Sequence, residues 1–529
     1  MKIKIHRTRF TILLTAFLIL FATVALGRAA EPAAPQTPTL GTTTRVSVAS
    51  DGTEGNAVST NPSVSVDRRY IAFSSDASNL VNGDTNGERD VFLHDTQTGQ
   101  TTRVSVASDG TQGNEYSGAS SLSSDGRYVA FSSSASNLVS GDTNGYKDVF
   151  VHDTQTGQTT RVSVASEGAQ GNNNSHSSSL SADGRYVAFV SDADNLVSGD
   201  TNGTDDIFVH DTLTGQTTRV SVASDGMEAD DRSDDPAISA DGQYVAFSSH
   251  ADNLVGEDTI ISGIFLHDRQ TGQTTCVSVA SDGTIADGGS DFPAISADGH
   301  YVAFESTANN LVDGGPEWGT DIFMHDTLTG QTTRVSVSSS GAWSYFYSFF
   351  APSISSDGRY VAFESNAQFF SGDTNDAEDI FVHDTQTGQT TSVSVASDGT
   401  QGNEYSRVSS ISPDGRYVAF GSDATNLISG DTNGWWDVFL HDRGPELVPT
   451  LTLNHLTGAP GSYFTLTGSG FNTNNTIVLT LNGATLGTTP TDGDGAFEVI
   501  LSTGNADEGY YHLTVSGYPS AGASFTLDA

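Results

Sequence analysis

Alternating apolar and polar residues dominate the chain after residue 30. Runs such as "RYVAFSS", "DVFVHD" and "TTRVSVAS" have the two-residue period of half-buried strands, and Asp-Gly, Asn-Gly and Thr-Gly turns separate them. No stretch after residue 30 has the 3.6-residue apolar period of an amphipathic helix. The pattern therefore predicts an all-β protein.

The strand pattern is repeated seven times. Each copy contains a small-residue strand such as "SSLSS", then "RYVAFSS", "DVFVHD" and "TTRVSVAS". The Asp of the element "SxDGRYVAFSS" recurs every 57 to 59 residues, at Asp67, Asp125, Asp183, Asp241, Asp298, Asp357 and Asp414. Seven four-stranded units predict a seven-bladed β-propeller, in which radial repetition shelters the sheet edges.

The two ends of the repeat array complement each other. "TTTRVSVAS" at 42–50 is a fourth strand that precedes the first full repeat, whereas the last repeat stops after "DVFLHD" at 437–442. We predict that the N-terminal strand completes the last blade and closes the ring, because an unpaired blade edge recruits other chains. A solenoid would not need this complementary deficit.

The repeat also carries a family resemblance. "SPDGRYVAFGS" at 412–422 resembles the repeat of TolB-type (WD-repeat-like) β-propellers, and weaker copies cover about 43–442. The resemblance implies a propeller but not a function. The α/β domain that TolB adds for its periplasmic role has no counterpart in this sequence.

The sequence divides into five segments. Residues 1–27 place basic residues before an apolar run, as in a signal peptide, and a Pro-rich linker follows at 28–41. The propeller spans 42–442, and a linker at 443–450 leads to short strands at 451–529 that predict an immunoglobulin-like β-sandwich. Its "APGSYFTLTGSGF" element resembles bacterial Ig-like modules of the TIG type. An uncleaved membrane anchor is the alternative to a cleaved signal.

The charge and the cysteine content limit which cellular compartments and which partners are expected for this protein. The chain has 64 acidic and 22 basic residues, a formal net charge of −42, which repels phosphate backbones and excludes nucleic acid as a partner. Its single cysteine allows no internal disulfide. We predict a secreted, periplasmic or cell-surface protein with no membrane span after signal cleavage.

The loop "DTNGxxD" offers oxygen ligands at positions 1, 3 and 7 around a Gly turn, which suits Ca²⁺. The predicted ligands are Asp84, Asn86, Asp90, Asp142, Asn144, Asp148, Asp200, Asn202, Asp206, Asp373, Asn375, Asp379, Asp431, Asn433 and Asp437. The alternative is a plain Asn-Gly turn whose first Asp caps backbone amides. No other cofactor is expected.

Histidines before Asp in the third strand recur in every repeat, at His94, His152, His210, His267, His325, His383 and His441. A feature present in every blade is architectural, so we predict that they hydrogen-bond between strands or blades.

Aromatic residues concentrate in loops of blades 5 to 7 that emerge on one face. The predicted ligand-binding residues are Trp318, Trp343, Tyr345, Phe346, Tyr347, Trp435 and Trp436. Exposed aromatic patches usually mark interaction sites, here for a glycan or protein ligand. Loop packing or contact with the C-terminal domain is the alternative.

Motifs for nucleophilic catalysis are missing from the sequence, with no G-x-S-x-G, H-E-x-x-H or phosphate-binding Gly loop. The leading hypothesis is therefore a non-enzymatic binding, adhesion or envelope-scaffold protein. A purely structural envelope protein is one alternative. The other is a carbohydrate-active enzyme, glycosidase or lyase, on the same face, because Glu305 and Glu364 follow "YVAF" where serine is usual. Their carboxylates are expected on the order of 10 Å apart, near the limit for an inverting pair.

Overall fold

A computed structural model describes residues 5–6, 41–256, 261–313, 319–341, 351–366, 375, 377–444, 450–471, 476–492, 495–504, 506–516 and 521–528. These residues form strands, turns and bends, and no helix occurs among them. They belong to two compact units, divided after Arg443. The all-β prediction is confirmed. No helix in the described ranges is long and apolar enough to cross a membrane.

Seven four-stranded antiparallel sheets make up the first unit. The strands to residue 442 are β1 (Ile5–His6), β2 (Thr42–Arg45), β3 (Ser59–Val64), β4 (Tyr70–Ser75), β5 (Asp90–Asp95), β6 (Gln100–Arg103), β7 (Ser117–Leu122), β8 (Tyr128–Ser133), β9 (Asp148–Asp153), β10 (Gln158–Arg161), β11 (Ser175–Leu180), β12 (Tyr186–Ser191), β13 (Asp206–Asp211), β14 (Gln216–Arg219), β15 (Ser233–Ile238), β16 (Tyr244–Ser249), β17 (Gly263–Asp268), β18 (Gln273–Cys276), β19 (Ser290–Ile295), β20 (Tyr301–Ser306), β21 (Asp321–Asp326), β22 (Gln331–Arg334), β23 (Ser353–Ile354), β24 (Tyr360–Ser365), β25 (Asp379–Asp384), β26 (Gln389–Ser392), β27 (Ser406–Ile411), β28 (Tyr417–Ser422) and β29 (Asp437–Asp442). Sheets 1 to 6 each take four consecutive strands from β3 to β26, and sheet 7 consists of β27, β28, β29 and β2.

The N-terminal strand β2 supplies the fourth strand of sheet 7. Thr42 lies opposite Asp442 and Arg45 opposite Phe439 in an antiparallel ladder. The predicted pairing of these two segments is therefore confirmed. Sheet 7 also meets sheet 1, where the Val64 amide donates to the Ser410 hydroxyl at 3.3 Å.

The hydrophobic core of this unit lies between successive sheets. In sheet 1, Phe73 and Phe92 are fully buried with ring centroids 5.8 Å apart, and all seven sheets have an equivalent pair. Burying each ring contributes about 1.5–3 kcal/mol. The remaining core consists of valines, alanines, isoleucines and leucines, from the same two central strands and from the segments after the second and fourth strands, such as Leu80 and Val104.

The repeated histidines link strands, as the sequence predicts. His94 on β5 lies 2.9 Å, Nδ1 to Oγ1, from Thr101 on β6, and the Thr101 hydroxyl donates to the Val48 carbonyl of the preceding repeat. Burial lowers the pKa of His94, which keeps the ring neutral. Because this arrangement recurs, the histidines join each sheet to its neighbour and are not a functional site.

The seam between sheets 7 and 1 has an arginine where the other repeats have glycine. Arg68 has a φ of 60°, its guanidinium lies 4.8 Å from the Tyr417 ring centroid, and its Nη1 is 3.6 Å from Asp442 Oδ2. In sheet 2 the corresponding residue is Gly126, where an added Cβ would lie 2.2 Å from the Tyr70 ring. Of the seven equivalent turns, only the one at the seam therefore accommodates a side chain.

The second unit contains two sheets. Its strands are β1, β30 (Thr450–Leu453), β31 (Thr457–Gly458), β32 (Tyr463–Ser469), β33 (Thr476–Leu481), β34 (Ala484–Pro490), β35 (Phe497–Ser502), β36 (Gly509–Ser516) and β37 (Ala521–Leu527). One sheet has the order β1-β35-β32-β30 and the other β31-β37-β36-β33-β34. Their apolar faces form one core that includes Phe464 and Phe525, whose ring centroids are 4.5 Å apart.

Candidate functional site

The first strands of all seven sheets line a single central cavity of about 320 Å³. Its wall contains a residue at one equivalent position in each sheet, which is Asn61, Ala119, Ser177, Asp235, Phe292, Ala351 and Val408. Six of these residues have a positive φ of 48–55° although none is glycine. Each first strand with such a residue also shifts register there, so the backbone forms a bulge that turns these side chains inward.

At one end of this cavity, the start of each first strand, the end of each second strand and the start of each third strand lie together. In six of the seven sheets, the first amide of the first strand donates to the carbonyl just before the third strand of the preceding sheet, as Ser406 does to Glu378 at 2.8 Å. The second strand ends beside the start of the third, as Ser365 lies opposite Asp379. We call this end the mouth. Its side chains differ from sheet to sheet, unlike those of the core.

Glu364 is a deeply buried carboxyl at the mouth. It lies on β24 with 3% of its surface exposed, and its Oε2 accepts a hydrogen bond from the Val408 amide at 3.4 Å. Its Oε1 makes no hydrogen bond within the described structure, and the nearest cation, Arg407 Nε, is 3.6 Å away. Burial, reinforced by the nearby carboxylates of Glu378 and Glu305, raises the pKa of Glu364 to about 8 against the opposing charge of Arg407. The carboxyl is thus largely protonated at neutral pH.

Arg407 on β27 lies beside Glu364 and forms an ion pair with Glu378. Its Nε donates to Glu378 Oε2 at 2.9 Å, and its guanidinium lies 5.3 Å from the Tyr405 ring centroid and 5.8 Å from that of Trp436. The guanidinium is therefore shared between a surface carboxylate and two aromatic rings. Its stronger partner is Glu378, so it neutralises Glu364 only in part.

Carboxylates continue from Glu364 toward sheet 4. Glu305 occupies the same position on β20 and lies opposite Asp291 on β19. Asp291 and Asp234 lie close enough to Asp235 to raise its pKa, after burial, to about 6. We call Asp234, Asp235, Asp291, Glu305 and Glu364 the acidic arc. It gives this half of the mouth a negative potential.

The predicted aromatic residues that the structure describes have different surroundings. Trp435 is 49% exposed, and its amide donates to Asn433 Oδ1. Trp436 is half-buried beside Arg407, and a Cβ added at Gly421 would lie in ordinary van der Waals contact with its indole, at 3.6 Å. The other predicted residues, Trp318, Trp343, Tyr345, Phe346 and Tyr347, lie outside the described residues.

The Asp loops hold an arginine between their carboxylates. In sheet 1, Arg103 Nη1 lies 3.5 Å from Asp84 Oδ1 and 3.2 Å from Asp90 Oδ2, while Asn86 Oδ1 accepts the Glu88 amide at 3.0 Å. The same bridging occurs with Arg161 for Asp142 and Asp148, Arg219 for Asp200 and Asp206, and Arg45 for Asp431 and Asp437. The asparagines of these loops, Asn144, Asn202, Asn375 and Asn433, likewise cap the turn. The cation between these carboxylates is therefore a guanidinium.

Sheet 6 differs, because Ser392 stands where the other loops have arginine. Asp379 accepts hydrogen bonds from Ser394 and Gln401, and Asp373 lies outside the described residues. Within the described part of the chain, no group of three or more His, Cys, Asp or Glu side chains could hold a metal ion. Calcium at these loops stays a prediction.

No protein-family model and no curated protein matches this chain. An oligogalacturonate lyase in complex with manganese is 14% identical over 76% of this chain and 93% of its own, with a TM-score of 0.45. A putative TolB from Agrobacterium tumefaciens is 17% identical over 53% of this chain and 80% of its own, with a TM-score of 0.34. A prolyl endopeptidase is 12% identical over 78% of this chain and 54% of its own, with a TM-score of 0.44. These likenesses show the fold alone, a propeller of repeated four-stranded sheets.

The comparisons correct the leading hypothesis from the sequence. Two of these structures are named as enzymes, a lyase and an endopeptidase, whereas the sequence suggested a non-enzymatic binding or adhesion protein. That hypothesis is not proposed again. Because the likeness extends only to the fold, the reaction has to be argued from the chemistry of the mouth.

Proposed function

We propose that the protein is an exported carbohydrate-active enzyme, a glycosidase, with its active centre at the mouth. The observation that carries the proposal is Glu364, a carboxyl that is almost fully buried, has one oxygen without a hydrogen-bond donor, and keeps its proton at neutral pH. Glycoside hydrolysis requires an acid of this kind to protonate the leaving oxygen.

Glu305 is the second carboxyl of the proposed pair. It occupies the equivalent strand position in the adjacent sheet and is only half-buried, and its charge already acts on Glu364. In the proposed reaction Glu364 gives its proton to the glycosidic oxygen as the bond from that oxygen to the anomeric carbon breaks. Glu305 accepts a proton from the water that attacks this carbon. Arg407 has to move aside for the substrate, since it covers Glu364.

The proposal includes the architecture around the site. The seven sheets that surround one cavity support a closed seven-bladed propeller with β2 in its last blade. The two-sheet second unit supports an Ig-like sandwich of the TIG type that follows it. The basic and apolar N-terminal sequence supports export by a signal peptide.

The test is hydrolysis of a polysaccharide panel by the purified full-length protein, measured as release of reducing ends. We expect activity on at least one neutral polysaccharide and a loss of about 100-fold or more in Glu364→Gln, because removing a general acid typically costs 10²- to 10⁴-fold. Glu115→Gln, at an exposed loop glutamate, is the matched control and should keep wild-type activity.

The pH profile adds a second readout. We expect the rate to fall as pH rises through the pKa of Glu364 near 8, since the acid then loses its proton. Wild-type rates in Glu364→Gln, or no reducing-end release from any polysaccharide, would overturn the proposed function.

A further inference from the structure

The central cavity contains one large side chain in a conformation that large side chains avoid. Phe292 lines the cavity with a φ of 54°, and its ring is half-buried. Six of the seven first strands share this left-handed backbone, which costs roughly 1–2 kcal/mol per residue, so the strain belongs to the repeated bulge. What is particular to sheet 5 is the aromatic ring that the bulge turns into the cavity.

A carboxylate lies beside this ring. Asp235, from the adjacent sheet, lines the same cavity and accepts a hydrogen bond from the Phe292 backbone amide. Its Oδ2 also accepts from the Ser248 hydroxyl at 3.4 Å. Asp235 is only half-buried, so its carboxylate remains open to the cavity. An aromatic face next to a hydrogen-bond acceptor suits a ligand with an apolar face and hydroxyl edges.

Hydroxyls from two other sheets also line the cavity. Ser120 and Ser178 belong to sheets 2 and 3, and within the described structure their hydroxyl oxygens hydrogen-bond to no protein group. Buried hydroxyls of this kind bind water or a ligand that supplies the missing partner. At about 320 Å³ the cavity is at the small end of ligand sites, which span roughly 300–1,000 Å³, so it has room for about one or two sugar rings.

We propose that this cavity binds the neutral pyranose at one end of a glycan chain. The Phe292 ring lies under the sugar, and Asp235 accepts hydrogen bonds from its hydroxyls. The inference rests on the proposed glycosidase function and assigns its substrate class and mode of attack. Val408 lines the cavity and its amide donates to Glu364, so a sugar seated there places the next linkage beside the proposed acid. The enzyme therefore removes sugars from a chain end.

The charge of the site selects against acidic sugars. Burial and, after it, the neighbouring carboxylates of Asp234 and Asp291 raise the pKa of Asp235. A uronate would add another carboxylate to the acidic arc, and like charges at close range in a partly desolvated site repel strongly. The cavity accepts neutral pyranoses and rejects uronates.

Binding is tested by calorimetry on full-length Glu364→Gln with glucose, galactose, mannose and galacturonate. Two further variants introduce residues that occur at the equivalent position of another sheet. Phe292→Asn copies Asn61 of sheet 1, and Asp235→Ser copies Ser177 of sheet 3. Both should fold normally and weaken binding of a neutral sugar by about tenfold. Galacturonate should bind at least about tenfold more weakly than the best neutral sugar.

Ala119→Phe provides a blocking variant, because Phe292 shows that this backbone conformation accepts phenylalanine. It should abolish sugar binding while the melting temperature stays within a few degrees of wild type. Absence of binding by every neutral sugar, or equal binding in Phe292→Asn, would overturn the cavity assignment. Equal affinity for galacturonate would overturn the charge selection.

Products from end-labelled neutral oligosaccharides test the mode of attack with the wild-type protein. Single sugars released from one end support the inference, whereas products of internal cleavage refute it. The two proposals fail in different ways. If hydrolysis depends on Glu364 but sugar binding does not depend on Phe292, only the cavity inference is refuted. If binding depends on Phe292 but no hydrolysis occurs, the proposed enzymatic function is refuted.

Discussion

Removing the buried carboxyl of Glu364 should stabilise the protein, and the gain should grow with pH. The pKa of Glu364 is raised from 4.5 to about 8 in the folded chain, mainly by burial. Between these two values the folded state keeps a proton that the unfolded state has released, so the free energy of unfolding falls as pH rises through this window. The loss is about 1.4 kcal/mol per pH unit, which gives about 3 kcal/mol at pH 7.

Glu364→Gln has nearly the same shape but no charge to bury, so it avoids this loss. We expect the variant and wild type to have similar stabilities near pH 4, and the variant to be more stable by about 2–3 kcal/mol at pH 7. The measurement is urea unfolding at several pH values between 4 and 9. Glu115→Gln, at an exposed loop, controls for removal of one negative charge. A Glu364→Gln difference that does not change with pH would refute the placement of this carboxyl in a desolvated site.

Three further predictions concern the seam, the Asp loops and ring closure. At the seam, Arg68→Gly should change stability by less than about 1 kcal/mol in thermal unfolding, because lost contacts with Tyr417 offset relieved left-handed strain. Gly126→Arg should instead destabilise strongly, since its Cβ meets the Tyr70 ring. In the Asp loops, Arg103 lies between two of the predicted calcium ligands, so a chelator should lower the melting temperature of Arg103→Ser more than that of wild type; equal shifts in the two proteins would contradict this expectation. Deletion of residues 41–45 should expose the β29 edge and cause aggregation, measured by light scattering; a soluble monomer with wild-type stability would contradict it.

The functional residues were only partly recoverable from the sequence. Glu305 and Glu364 stand out because they break a repeated serine position, and aligning the repeats is enough to find them. Arg407, Asp235 and Phe292 lack such a signal, because the residue at each of their positions varies from repeat to repeat. Asp235 lines the cavity because a bulge rotates the first strand at that residue.

The sequence by itself determined the strands, the seven-fold repeat and the pairing of the N-terminal strand with the last repeat. These features follow from local periodicity, turn residues and the complementary ends of the array, which act over short stretches of chain. Only the tertiary structure decided which charge neutralises the Asp loops. Arg103 is 13 residues from Asp90 in the chain, and the return of β6 beside β5 puts its guanidinium where a metal ion was expected.

The tertiary structure also decided the state of Glu364. Its pKa depends on burial under Arg407 and on carboxylates contributed by Glu305 and Glu378, residues that are 59 and 14 positions away in sequence. Electrostatic energies depend on distance and desolvation in space. A residue pattern contains neither quantity until the sheets close around the cavity and bring these groups together.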